Sequence, residues 1–203
     1  DEYLSGDVRQ KLKTARIYAQ TDPTYAENVE ALEKVQPKDL TATEISVKLG
    51  TTWIDNKDYE QFLYEILQTP EIYQRGKCSN MNLAVTVERL DMDMSYHIGN
   101  KNLVSNSILA TQTYGTSRMD AYTLAEQIMN GKVIMVRDRI EEGNSVRYEV
   151  NRKETMIARD KAEQLKEGFK SWIFRDAERR KKYVDYYNQT FNCIRLREYD
   201  GSY

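Results

Sequence analysis

The chain has 203 residues, 31% of them charged and 40% hydrophobic, with nine glycines and three prolines. That is enough for one good core or two small ones, and it excludes a disordered tail. Thirty Lys and Arg against 32 Asp and Glu leave a net charge of −2, so no global field draws in nucleic acid or an anionic membrane, and any DNA contact must come from a local basic patch. Two cysteines make no disulfide framework; with no signal-like segment and no apolar run near 18 residues, the expected compartment is the cytoplasm, with no membrane contact.

Leu4, Val8, Leu12, Ala15 and Ala19 recur at three- and four-residue steps, which predicts an amphipathic helix over 6–20. Asp22 then caps and Pro23 starts a second helix reaching about Val35, with Tyr25, Val29 and Leu32 on one face. Thr41 and Glu44 have the spacing of a capping box, predicting a short helix that stops at Gly50. Asp55 opens another, with Tyr59, Phe62, Leu63, Ile66 and Leu67 facing inward and Pro70 just beyond its end.

The pattern then changes period. Residues 83–87 and 92–98 alternate as half-buried strands do, with a turn near Arg89, Leu90 and Asp91. Ser117 is the expected cap of a helix over 118–130, ended by Gly131. Residues 133–140 and 145–150 pair across Glu141, Glu142, Gly143 and Asn144, the best hairpin signal in the chain. Asn151 with Glu154 starts a helix carrying Met156, Ile157, Ala162, Leu165, Phe169, Trp172 and Ile173; Asp176 starts a last one through Tyr183, Val184, Tyr187 and Phe191. The expected class is α+β, mostly helical, with N- and C-terminal helices around small antiparallel hairpins. We divide 1–203 into a helical subregion (1–70), a hairpin-containing subregion (80–150) and a second helical subregion (151–203).

No phosphate-binding G-x-x-x-x-G-K-[ST] loop and no G-x-G-x-x-G turn is present, so no nucleotide cofactor is expected. His97 is the one histidine, and with two distant cysteines it makes a poor metal set. Asp91 and Asp93 share a strand face in this reading and are either solvated hairpin residues or a cation site. An enzyme acting through His97 and Asp93 would need the two to converge in a pocket. No catalytic, cofactor or metal residue is assigned.

Binding chemistry is concentrated in Arg175, Arg179, Arg180, Lys181 and Lys182, interleaved with Trp172, Tyr183, Tyr186 and Tyr187. On one helix, Arg175, Arg179 and Lys182 share a side, a stripe suited to phosphates; a solvated helix face diluted by Asp176, Glu178 and Asp185 is the other reading. Arg137, Arg139, Arg147 and Arg152 form a second, weaker cluster around the late hairpin. Fifteen tyrosines against four phenylalanines allow a third reading, a Tyr-rich face that docks a protein partner.

Residues 1–12 (DEYLSGDVRQKL), 35–54 (VQPKDLTATEISVKLGTTWI), 113–122 (TYGTSRMDAY) and 197–203 (REYDGSY) together carry a resemblance, supported by 151–155 (NRKET) and 169–173 (FKSWI). They resemble the central region of very large bacterial proteins of phages and conjugative elements. Those proteins fuse an adenine-specific DNA methyltransferase to a Swi/Snf-like superfamily-two helicase. The resemblance covers most of the chain outside about 75–110. The opening without Met and the polar tail fit a segment of a larger protein, and the resemblance places the tail next to the helicase. It implies a non-catalytic interdomain scaffold, possible DNA contact, flanking methyltransferase and helicase domains as partners, and S-adenosylmethionine and ATP with magnesium used by the parent alone. The methyltransferase tetrapeptide and the helicase ATP motifs are absent from this chain. Gly6, Gly50 and Gly115 read as turn positions and Trp53 as a core anchor.

Overall fold

Asp7 lies just before the first apolar row, and its carboxylate accepts a hydrogen bond from the Gln10 N–H. It thereby caps helix α1 (Val8–Ala19). The computed structural model describes residues 2–142 and 145–197. Asp22 caps a short 3₁₀ turn, Pro23–Tyr25, which runs into α2 (Ala26–Lys34). Val8, Leu12, Ala15 and Leu32 bury their side chains together, with Leu4, Val29 and Val35 packed against them.

Two compact units make up the chain: one of Asp1–Ser46 with Ala177–Tyr203, the other of Val47–Asp176. The division does not follow chain order. In the first unit, β1 (Gly6–Asp7) pairs antiparallel with β6 (Ile194–Arg195), and α6 (Ala177–Thr190) joins α1 and α2. Asn188 on α6 is buried; its amide oxygen accepts from the Leu40 N–H at 2.8 Å and its amide nitrogen donates to the Leu40 carbonyl at 2.9 Å. Arg9 on α1 donates to the Asn192 carbonyl at 2.8 Å and the Pro37 carbonyl at 3.0 Å. These polar clamps hold a loop that has no regular backbone ladder of its own.

The second unit is built on α3 (Asn56–Ile66), α4 (Ala121–Met129) and α5 (Arg152–Ile173), with two hairpins. Its centre is aromatic. Phe169 lies 5.1 Å from Phe62 edge-to-face and 5.2 Å from Tyr59, while Phe62 meets Trp172 at 5.6 Å. Such offset and T-shaped pairs add to the burial of their large apolar area. Gly115 is required here: a Cβ would lie 2.0 Å from the Ala110 carbonyl oxygen, so the chain can pass there only without a side chain. Five tyrosines (Tyr59, Tyr64, Tyr96, Tyr122 and, in the first unit, Tyr183) are buried, so much of the tyrosine excess is structural.

The fold is α+β and mostly helical, with two-stranded antiparallel sheets. Several elements depart from expectation. Residues 41–50 form turns rather than a helix. The Thr41 N–H does donate to the Glu44 carboxylate at 2.8 Å, but burial then alternates through Ile45, Val47 and Leu49, the period of an extended segment. Strands β2 (Thr86–Arg89) and β3 (Tyr96–Gly99) are shorter than expected. Asp91 and Asp93 therefore lie in the turn between them and not on a strand face. The α4 cap is Asp120, accepting from the Tyr122 and Thr123 N–H groups, and not Ser117. Met156 is 64% exposed and Phe191 50%, and Trp53 is half-buried instead of a core anchor. The Gly143–Asn144 turn and the tail from residue 198 lie outside the described residues.

Candidate nucleic-acid interface

Helix α5 ends at Ile173 and α6 begins at Ala177. Arg175 therefore sits between two helices and leaves the expected stripe. Its guanidinium pairs with Glu65 at 2.8 Å, and the same Glu65 oxygen accepts from the Trp172 indole N–H at 2.7 Å. Glu65, Trp172 and Arg175 together lock the end of α5 to α3, within the second unit. Arg179, Arg180, Lys181 and Lys182 belong to the first unit.

On α6 a row of Arg179, Tyr183 and Tyr187, four residues apart, is buried or half-buried, as are Val184 and Asn188. Arg179 thus lies beside the packed face. Lys182 is exposed, with its ammonium 4.7 Å from the Tyr183 ring centroid. Arg180 and Lys181 are exposed and make no ion pair with any described residue. The four cations are brought together, but Glu178 and Asp185 stand three and four residues from the lysines on the outer face.

The second cluster lies on a ribbon of β4 (Arg137–Glu142) and β5 (Ser145–Val150). Arg137 and Arg139 share a face, as the alternation requires, opposite Val150 and Tyr148. Arg139 pairs with Glu141 at 2.9 Å; Arg147 pairs with Glu149 at 3.1 Å and Glu142 at 3.2 Å. Local carboxylates therefore answer much of this charge. Arg137 lines an open cleft of about 440 Å³ with Gln127, Lys132, Val133, Met135 and Tyr148. Arg152, at the start of α5, is exposed. Arg118 braces the ribbon base, donating to Asp138 and to the Arg137 carbonyl at 2.9 Å each. The Arg118 hydrogen bond, with one from Asn151, holds the Asp138 carboxyl below its usual value.

His97 and Asp93 have separate local partners. His97 Nδ1 is 3.5 Å from Glu126, while Asp93 accepts from the Ser95 N–H and hydroxyl, which lower its pKa. Cys78 and Cys193 lie in different units. Among the described residues no group of three or more His, Cys, Asp or Glu side chains is placed to hold a metal, and no helix is long and apolar enough to cross a membrane.

Three polar residues not picked out from the sequence close the edges of the β2–β3 hairpin. Glu60, 3% exposed on α3, accepts from the Val87 N–H at 2.9 Å and from both Arg75 donors. Glu126 accepts from the Ile98 N–H and from Lys101, both at 2.7 Å. Asn130 accepts from the Tyr96 N–H at 2.7 Å and donates to its carbonyl at 2.8 Å. The available signal was a carboxylate set inside the apolar row of α3, between Tyr59 and Phe62.

A family described as a domain of unknown function (DUF8437) matches residues 48–193, which run from before α3 to just beyond α6. No curated protein and no solved structure matches the chain.

Proposed function

This chain belongs to the DUF8437 family, and on that premise we propose that it is a non-catalytic accessory domain that works by contact. It lies between the methyltransferase and helicase parts of a DNA-modifying fusion, positions those parts, and touches DNA through α6. S-adenosylmethionine and ATP with magnesium are used by the flanking parts. The observation that supports DNA contact is the exposed pair Arg180 and Lys181, which forms no ion pair with a described carboxylate.

The test is binding of a fluorescent duplex and a single strand, titrated across salt, by the wild type and an Arg180→Ala/Lys181→Ala variant. Arg179 is left intact because it borders the packed face. Phosphate contacts make log affinity fall with log salt, so losing two contacts lowers the slope by about 2. Absence of binding at low salt removes DNA from this reading and leaves the scaffold; binding with an unchanged slope in the variant removes Arg180 and Lys181 as the contacts.

A protein-docking role has its own support. Tyr18 and Tyr25 stack at 5.4 Å, both exposed, beside Ile17 at 65% exposure. Association through that apolar face is nearly independent of salt, which separates the two readings.

A further inference from the structure

We propose that the free edge of β5 is a self-pairing site. Two copies of this chain join β5 to β5 about a two-fold axis through Tyr148, giving a four-stranded antiparallel sheet in the order β4–β5–β5–β4.

Every residue of β5 is exposed, including Val146 (46%), Tyr148 (64%) and Val150 (47%) on one face. Among the described residues β4 is the one strand paired with β5, and it lies along one side. Alternate residues of an antiparallel strand turn their N–H and C=O away from a given neighbour. The far side of β5 is thus a row of backbone groups that no described residue answers, a template for another strand. The outer side of β4 differs, because Arg118 already occupies the Arg137 carbonyl there.

The identity of the occupant comes from the order of residues. Val146-Arg147-Tyr148-Glu149-Val150 reads apolar, positive, aromatic, negative, apolar outward from Tyr148. Antiparallel pairing centred on Tyr148 sets Arg147 against the partner's Glu149, Val146 against the partner's Val150, and Tyr148 against the partner's Tyr148. The two-fold axis repeats each pair, so both strands place apolar residues on one face and opposite charges on the other. Centring on Arg147 or on Glu149 sets like charges face to face. A half-step shift sets Val146 against the partner's Glu149 and mixes the faces. The strand therefore complements itself in this register and not in its neighbours. Pairing uses each β5 edge once, so the assembly closes as a dimer.

A sheet edge buries less than a standard interface, so the dimer is weak, with a Kd on the order of tens of micromolar. Sedimentation equilibrium over a concentration series is the measurement. Arg147→Glu and Glu149→Arg each place like charges across the axis at both symmetry-related pairs, and each alone weakens dimerisation roughly tenfold or more. Mixed one to one, the two variants restore opposite charges at both pairs and form a heterodimer as tight as the wild-type dimer. Ion pairs within one chain cannot reproduce that rescue. Three outcomes overturn the proposal: a wild type monomeric up to about 1 mM, single variants that dimerise like wild type, or a mixture that stays monomeric.

Discussion

The β2–β3 hairpin and the β4–β5 ribbon are the same construction, two antiparallel strands, carried in opposite ways by one unit. In β2–β3, Val87, Tyr96 and Ile98 are buried, and side chains from α3, α4 and the residue that ends α4, Asn130, satisfy both outer edges. In β4–β5, no residue is buried, and the anchoring is at the base: Arg118 and Asn151 on Asp138, and Thr155 on the Val136 N–H. An isolated two-stranded hairpin is marginal in water. The first hairpin escapes that limit by being enclosed. The second has no strand beyond β4 along β5 among the described residues, which leaves that edge open to self-pairing.

The largest expected effect comes from opening the enclosed hairpin. Glu60→Ala removes the acceptor for the buried Val87 N–H and strands Arg75, costing about 3 kcal/mol. Urea unfolding monitored at Trp53 and Trp172 checks it; a loss below about 1 kcal/mol would mean that solvent replaces the carboxylate without penalty. Asn130→Ala follows at about 2 kcal/mol, because the Tyr96 N–H and carbonyl lose their partner together.

Acid should act on the same hairpin. Burial alone would raise the Glu126 pKa, but the hydrogen bonds from Lys101 and the Ile98 N–H outweigh it and leave the value below 4.5. A depressed folded pKa means that Glu126 contributes stability above the ordinary carboxylate value and loses it as pH falls through the folded value. Glu126→Gln should therefore be less stable than wild type near pH 7 by about 1 kcal/mol, with the gap closing toward pH 3. A gap that holds constant from pH 7 to pH 3 would assign the loss to packing and not to the charge.

The contrast between the hairpins also marks how far the sequence could be read. Helix starts were legible where one residue does the work: Asp22, Asp55 and Asn151 each cap as their type and position suggest, whereas the start of α1 falls at the Asp7 cap and not at Gly6. The late hairpin was legible because its strands alternate on both sides of a short turn, but its first strand runs 137–142 rather than 133–140, so Glu141 and Glu142 belong to the ladder and not to the turn. Residues 41–50 were misread because the local capping signal is real, while the alternation of Ile45, Val47 and Leu49 belongs to tertiary packing. The basic stripe lost Arg175 because a helix break costs the sequence pattern nothing: the period of four survives across Phe174 to Asp176 even though the helix does not. The β1–β6 pairing joins Gly6 to Arg195, a separation that no local pattern encodes.

The smallest expected effect tests the exposed side of the comparison. Tyr148→Ser changes a ribbon residue that is 64% exposed and has no hydrogen-bonding role among the described contacts. At low micromolar protein, where the chain is monomeric, its unfolding free energy should stay within about 0.5 kcal/mol of wild type. Ile98→Ala in the enclosed hairpin should lose about 3 kcal/mol under the same conditions. Amide exchange gives the same contrast without mutation. The backbone of β5 should exchange through local opening, far faster than Val87 and Ile98, whose N–H groups are held by Glu60 and Glu126. Raising the protein concentration should slow exchange along β5 while leaving β2–β3 unchanged, because only the ribbon edge gains a partner. Slowing that reached both hairpins equally would mean that association tightens the unit as a whole, and the distinction between an enclosed hairpin and a waiting one would lose its basis.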